Sequence, residues 1–238
     1  MSQQCPHSAE VNCQDCRMNS LCLPFTLELD EVNRINDIVQ RGDPLHKGQY
    51  VYNCGDKFGS VYVVRSGAIK TYHLNDQGME QVTGFYLPGE TFGMDGIAHS
   101  QHINSAIALE TTAICEVPFD RLEDLSITLP SLQRHFFKLM SREITYDQRL
   151  IAVLIKNSAE ERLATLLLNI SARNAKRSLS RVRFRLPMSR ADIGNYLGLS
   201  VETVSRTFTR LQKQAILEVD KKEIKILDIP GLQQLANT

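Results

Sequence analysis

The 238-residue sequence predicts an α+β chain: a small antiparallel β-barrel or jelly roll, one long helix, and a winged helix-turn-helix. Three observations predict it. Between Pro44 and Pro118, short β-branched and aromatic runs alternate with glycine turns. From Ser131 to Ile155 the apolar period becomes helical, and beyond Ser158 two short helical patterns meet at Gly198 before a hairpin pattern. The boundaries that follow are an arm at 1–27, a β-barrel domain at 28–130, a long helix at 131–157 and a winged helix-turn-helix at 158–238.

The arm is polar and carries Cys13, Cys16 and Cys22 in a C-x2-C-x5-C spacing. Thiols this close, joined by a fourth from elsewhere, suit a disulfide, a zinc site or an iron–sulfur site. No apolar run approaches the ~18 residues of a membrane span. The opening "MSQQCPHSAE" lacks the charged-then-apolar order of a secretory signal. A cytoplasmic chain is expected, where structural disulfides are rare and clustered cysteines bind metal or do redox chemistry.

In the β-barrel domain the strand-like runs are "QYVYNC", "SVYVVRS", "AIKTYHL", "QVTGFYL" and "AICEVPF". Turn signals separate them at Gly48, Gly55–Asp56, Ser66–Gly67, Asp76–Gly78 and Pro88–Gly89. Many short strands at regular spacing read as an antiparallel barrel or jelly roll.

Pro130 opens the long helix, a residue tolerated in a first helical turn. Phe137, Met140, Ile144, Asp147, Ile151 and Leu154 follow at spacings of 3, 4, 3, 4 and 3, a heptad seam. Phe136, Leu139, Tyr146, Leu150 and Val153 make a second apolar stripe, expected to pack on the barrel. A core helix within one chain would use one stripe; a parallel homodimer uses both. Asp147 is the one charge in the seam and would face its own twofold mate.

Charge is split along the chain. Residues 159–238 hold 14 Lys/Arg against 8 Asp/Glu, net +6, and the remainder holds 13 against 19, net −6. Any nucleic-acid contact is therefore expected at the C-terminal end, and the helix-turn-helix there, with its wing and basic surroundings, predicts double-stranded DNA. There Ser189 caps the first helix, Gly198 makes the turn and Ser200 caps the second. On the second helix Val204, Phe208 and Leu211 fall on one face. Glu202, Ser205, Arg206, Thr209 and Arg210 fall on the other. That exposed set offers an arginine fork for guanine, a carboxylate for cytosine and a small hydroxyl. Alone, Glu202 and Arg206 would equally fit a surface ion pair. The hairpin "ILEVDKKEIKILD", turning at Lys221–Lys222, supplies the wing.

"IGNYLGLSVETVSRTFTRLQ" resembles the helix-turn-helix of the CRP/FNR transcription regulators. "KGQYVYNCGDKFGSVYVVRSGAIKTY" and "YLPGETFG" resemble the glycine-punctuated repeats of their cyclic-nucleotide-binding-type β-barrel. The likeness covers nearly the whole chain. It is closest to the oxygen-responsive FNR branch, through "NCQDC…LC" and the E-x-x-S-R of the second helix.

The resemblance implies a 4Fe-4S cluster held by Cys13, Cys16, Cys22 and, from "TTAICEVPF", Cys115. On spacing alone zinc stays open, and Cys115 alone would fit a buried core thiol. Cys5 and Cys54 stand outside the implied set, Cys54 within a strand-like run. The resemblance further implies a homodimer through Met140, Ile144, Asp147, Ile151 and Leu154. It implies TTGAT-type half-sites read by Arg206, Glu202 and Ser205, and contact with RNA polymerase near Gly78.

Family members that bind cyclic AMP use a Gly-Glu pair for ribose and an Arg-Ser or Arg-Thr pair for phosphate. Here Gly89–Glu90 is present, but "QHINSAIALE" offers Asn104–Ser105 and no basic residue, so no cyclic nucleotide is expected. An iron–sulfur redox enzyme or electron carrier is the rival class. The chain holds no G-x-G-x-x-G, no P-loop and no second cysteine group, so an enzyme is not expected.

Overall fold

The computed structural model describes residues 11–23, 27–156 and 158–236. The chain forms two compact units, Met1–Glu143 and Ile144–Thr238, so the division falls inside the long helix.

In the first unit the arm runs through successive turns. α1 (Leu29–Ile38) follows, opened by a reciprocal Glu28–Glu31 capping box. It buries only Val32 and Ile35, too short an apolar period to stand out in the sequence. Seven strands come next: β1 (Tyr50–Tyr52), β2 (Ser60–Ser66), β3 (Ile69–Leu74), β4 (Glu80–Tyr86), β5 (Thr91–Phe92), β6 (Ser105–Ala108) and β7 (Ala113–Pro118). Then come α2 (Phe119–Thr128) and α3 (Pro130–Lys156).

The strands form two antiparallel sheets, ordered β1-β6-β3-β4 and β5-β2-β7. The expected fold class holds with one refinement: the sheets are an open two-layer arrangement, not a closed barrel. With β1 three residues long and β5 two, the ladder is too short to run continuously around a ring. Gly67 turns β2 into β3 at φ +82°, where a Cβ would lie 2.4 Å from Thr112 Oγ1.

Two cores result. Tyr52, Val64, Ile69, Phe92, Ala106 and Ala108 pack between the sheets. Val61, Val63 and Val117 face the other way, onto α1, α2 and the start of α3. β2 is buried on both faces, which is why "SVYVVRS" reads as a nearly unbroken apolar run. Leu132, Phe136 and Leu139 seat the first turns of α3 in this second core.

The second unit takes the rest of α3, then α4 (Ala159–Lys176), β8 (Arg183–Arg185), α5 (Arg190–Leu197), α6 (Val201–Lys213), β9 (Leu217–Asp220), β10 (Glu223–Ile226) and α7 (Ile229–Ala236). Leu163, Leu167 and Ile170 of α4 are buried with Ile193, Tyr196 and Leu197 of α5 and Val204, Phe208 and Leu211 of α6. β8, β10 and β9 form a three-stranded antiparallel sheet in that order, and the hairpin turns through Lys221 at φ +53°. Tyr146 corrects the expectation that the second stripe of α3 packs wholly on the sensor domain. Its hydroxyl lies 2.8 Å from that of Tyr196, within the second unit.

Candidate metal centre and nucleic-acid interface

The arm is a folded loop held by its own backbone. Asn19 N donates to Cys16 O at 2.9 Å, and Cys22 N to Met18 O at 3.0 Å. Its side chains tie it to α1: Cys13 N donates to Asn36 Oδ1 at 3.0 Å, and Gln14 Nε2 to Asn33 Oδ1 at 2.6 Å. Asn33 and Asn36 stand three residues apart, on one face of the helix. From the other side, the ring of buried His135 in α3 donates to the Cys22 backbone. Leu21 lies against Gly89, where a Cβ would come within 2.9 Å.

Cys115 comes from far along the chain. It sits on β7 opposite Val63 of β2. Gln40 pairs with Glu116, through bonds of 2.8 and 2.9 Å, and brings the segment after α1 alongside β7. Cys13, Cys16, Cys22 and Cys115 line one small cavity of about 30 Å³ that opens to solvent. Val11, Met18, Leu23, Ile35, Val63 and Val117 make much of its wall, and Arg41 and Arg65 supply two guanidiniums.

Burial pushes the Cys13 thiol up to about 11, against the pull of Arg41. Burial also raises Cys22 well above its ordinary value, and raises Cys115 against the charges of Arg41 and Arg65. The described cysteines are all free thiols. Among the described residues no group of three or more His, Cys, Asp or Glu side chains is placed to hold a metal ion. The thiols stand around a cavity.

Cys54 is placed differently from its expected strand. It is exposed in the turn after β1, with its N–H on Ser105 Oγ at 2.9 Å, and it does not line the cavity. Cys5 lies outside the described residues.

The groups that would meet a nucleotide have internal partners. Glu90 Oε2 accepts from Leu87 N at 2.8 Å, closing the Pro88–Gly89 turn. Asn104 donates to Asp95 from its backbone at 3.0 Å and from its side chain at 3.3 Å. Ser105 Oγ accepts the Cys54 N–H.

In the second unit the helix-turn-helix forms as its caps dictate. Ser189 Oγ accepts from Asp192 N at 3.0 Å and Asp192 returns the bond to Ser189 N at 2.9 Å. Gly198 takes φ +63°, and a Cβ on Gly194 would sit 2.6 Å from Leu199 O, so the tight turn needs both glycines. Ser200 Oγ accepts from Thr203 N at 3.1 Å and starts α6. Glu202, Ser205 and Arg206 are exposed together on its outer face.

The competing ion-pair geometry is not the one formed: Arg206 Nε donates to the Glu202 carbonyl, at 3.4 Å. Backbone N–H at the helix start, the Ser200 hydroxyl and Arg206 hold the Glu202 carboxyl below its ordinary range. Arg210, expected with this set, instead pairs with Glu160 of α4. Lys222 Nζ is tied to Pro187 O, leaving Lys221 at the exposed tip of the wing.

On α3, Phe137, Ile144 and Ile151, seven residues apart, are 55–58 % exposed. Asp147 shares their exposed stripe, and partial enclosure by neighbouring side chains raises its carboxyl above the ordinary range.

Sequence reasoning does not single out Arg41, Asn36, Arg65 or His135. Each is an isolated polar residue whose role exists only through residues far away in the chain.

Two family models match the chain: a Crp-like helix-turn-helix domain over residues 161–235, and a cyclic nucleotide-binding domain over 43–128. The transcriptional activator protein FnrA of Stutzerimonas stutzeri is 50% identical over 227 residues, 95% of this chain and 93% of that protein. The fumarate and nitrate reduction regulatory protein of Yersinia pestis is 48% identical over 226 residues, 95% of this chain and 90% of its own. Among solved structures, FixK2 from Bradyrhizobium japonicum superposes with a TM-score of 0.77 at 30% identity, covering 83% of this chain and 97% of its own.

Proposed function

Because the chain belongs to the CRP/FNR family of transcription regulators, we propose that it is an oxygen-responsive member holding a 4Fe-4S cluster on Cys13, Cys16, Cys22 and Cys115. It is a DNA-binding regulator and not an enzyme. One observation carries the cluster reading: thiols from two distant parts of the chain line a single apolar cavity with two guanidiniums in its wall.

The donor set fits the group. A cubane cluster takes four thiolates, and four thiols are present. Binding requires the buried thiols to give up protons, and Arg41 and Arg65 offset the charge left behind. When bound, the cluster supplies a redox-active centre that oxygen destroys.

The residues link that centre to the rest of the chain. Fixing Cys13 and Cys22 keeps the arm in the core that also holds Leu132, Phe136 and Leu139 of α3. The seam of the same helix (Met140, Ile144, Asp147, Ile151 and Leu154) then forms the homodimer. The dimer sets two α6 helices about one DNA turn apart, roughly 34–36 Å, on inverted TTGAT-type half-sites. Arg206 reads the guanine, Glu202 the partner cytosine, and Ser205 sorts these sites from related ones. The exposed turn at Gln77–Met79 contacts RNA polymerase, and the chain activates or represses anaerobic genes in the cytoplasm. No cyclic nucleotide is bound.

The spectrum of protein purified without oxygen tests the reading. A broad brown absorbance that air bleaches is expected. A Soret band, or a colourless preparation carrying zinc, would overturn it.

A further inference from the structure

We propose that Arg41, fixed by Asn36, is the positioning residue and counter-charge for the ligand Cys13; this rests on the cluster reading above. Arg41 Nη2 lies 3.2 Å from Cys13 Sγ and 2.7 Å from Asn36 Oδ1. The same Asn36 oxygen accepts the Cys13 N–H at 3.0 Å. One amide oxygen therefore locates both the thiol's backbone and the guanidinium that reaches its sulfur.

Arg41 is held from outside the arm as well. Its neighbour Gln40 is bridged to Glu116, next to Cys115, so the guanidinium enters the cavity between the arm and β7. Its Nε is buried with no hydrogen-bond partner among the described residues. That leaves one guanidinium donor over.

The chemistry asks for such a residue. A cluster on four thiolates brings net negative charge to a wall of valine, leucine and isoleucine, and an unpaired buried charge is costly. Arginine stays charged, and its planar fork is held in place at less entropic cost than a lysine ammonium on its flexible stem. Net charge and hydrogen bonds to the sulfurs also set a cluster's reduction potential. Arg41 thus raises the potential of the bound cluster and favours its assembly.

The test reconstitutes the full chain with ferrous iron and sulfide without oxygen. It compares wild type, Arg41→Gln, Arg41→Lys and Asn36→Ser for iron and sulfide content and for potential. Far-ultraviolet circular dichroism of the cluster-free proteins checks folding. Arg41→Gln should bind the cluster about tenfold more weakly or worse, and what it binds should have a lower potential. Arg41→Lys should recover the potential more fully than the content. Asn36→Ser, which frees the guanidinium without removing it, should lose content and lower the potential less than Arg41→Gln does, and it carries the test should Arg41→Gln not fold.

Wild-type content and potential in Arg41→Gln would overturn the inference and leave the cluster reading standing. So would a folded Arg41→Lys as empty as Arg41→Gln, or full content in Asn36→Ser. A wild-type chain that takes up no iron would overturn both.

Discussion

The hydroxyls of Tyr146 and Tyr196 lie 2.8 Å apart, joining the second half of α3 to the first helix of the helix-turn-helix. Tyr196 is buried, and burial raises its phenol further above the ordinary value, so the pair is a neutral hydrogen bond. Tyr146→Phe and Tyr196→Phe should each cost about 0.5–1.5 kcal/mol of stability. The double variant should cost less than the sum, because both then lose the same bond. Urea unfolding of the second unit in the four proteins measures this; strict additivity would deny the coupling.

The ligand set makes the second prediction. Cys13→Ser, Cys16→Ser, Cys22→Ser and Cys115→Ser should each abolish cluster assembly and anaerobic DNA binding, since each thiol lines the cavity. Cys54→Ser should leave both unchanged, because Cys54 is exposed in its turn. Full iron and sulfide content in Cys115→Ser would remove that residue from the set.

Asp147 gives the third. It stands in the stripe that a dimer would cover, and partial burial raises its carboxyl above the ordinary range. A group raised in this way opposes assembly above its pKa and ceases to do so as pH falls and the proton binds. Cluster-free wild type should therefore associate more at about pH 5 than at about pH 7.5, and Asp147→Ala should associate at both. Reversing a two-state equilibrium from 1:99 to 99:1 takes about 5.5 kcal/mol, so a seam without this charge would be hard to switch. Sedimentation showing Asp147→Ala monomeric in air, at concentrations where anaerobic wild type is dimeric, would count against it.

Base reading gives the fourth. Arg206→Ala should lose about 1–3 kcal/mol of discrimination at the guanine of the half-site. Lys213→Ala should weaken all sequences alike if that side chain meets phosphate. Val201 cannot donate a hydrogen bond, so no added guanine preference is expected from it. Binding to half-sites randomised one base at a time separates these, and an unchanged guanine preference in Arg206→Ala would sink the assignment.

The fifth concerns the sensor domain. Glu90, Asn104 and Ser105 all have internal partners. Cyclic AMP at micromolar levels should give no calorimetric isotherm and no change in DNA affinity; a clear isotherm would reverse that reading.

Residue spacing along the chain dictates the local architecture. Short alternating strands, a heptad stripe on α3 and capped helices at Ser189 and Ser200 are written in spacing, because each depends on contacts within a few residues. The arm cysteines and the outer face of α6 were legible for the same reason. α1, β5 and β6 were not, being short elements that carry little periodicity of their own. Only the tertiary structure decided that Cys115 shares a cavity with the arm, that Arg41 reaches Cys13, that Arg210 is taken by Glu160, and that Tyr146 belongs with Tyr196. These relationships join residues separated by 28 to 102 positions along the chain. No local pattern records them, because they exist only once two sheets and their covering helices have buried a common core.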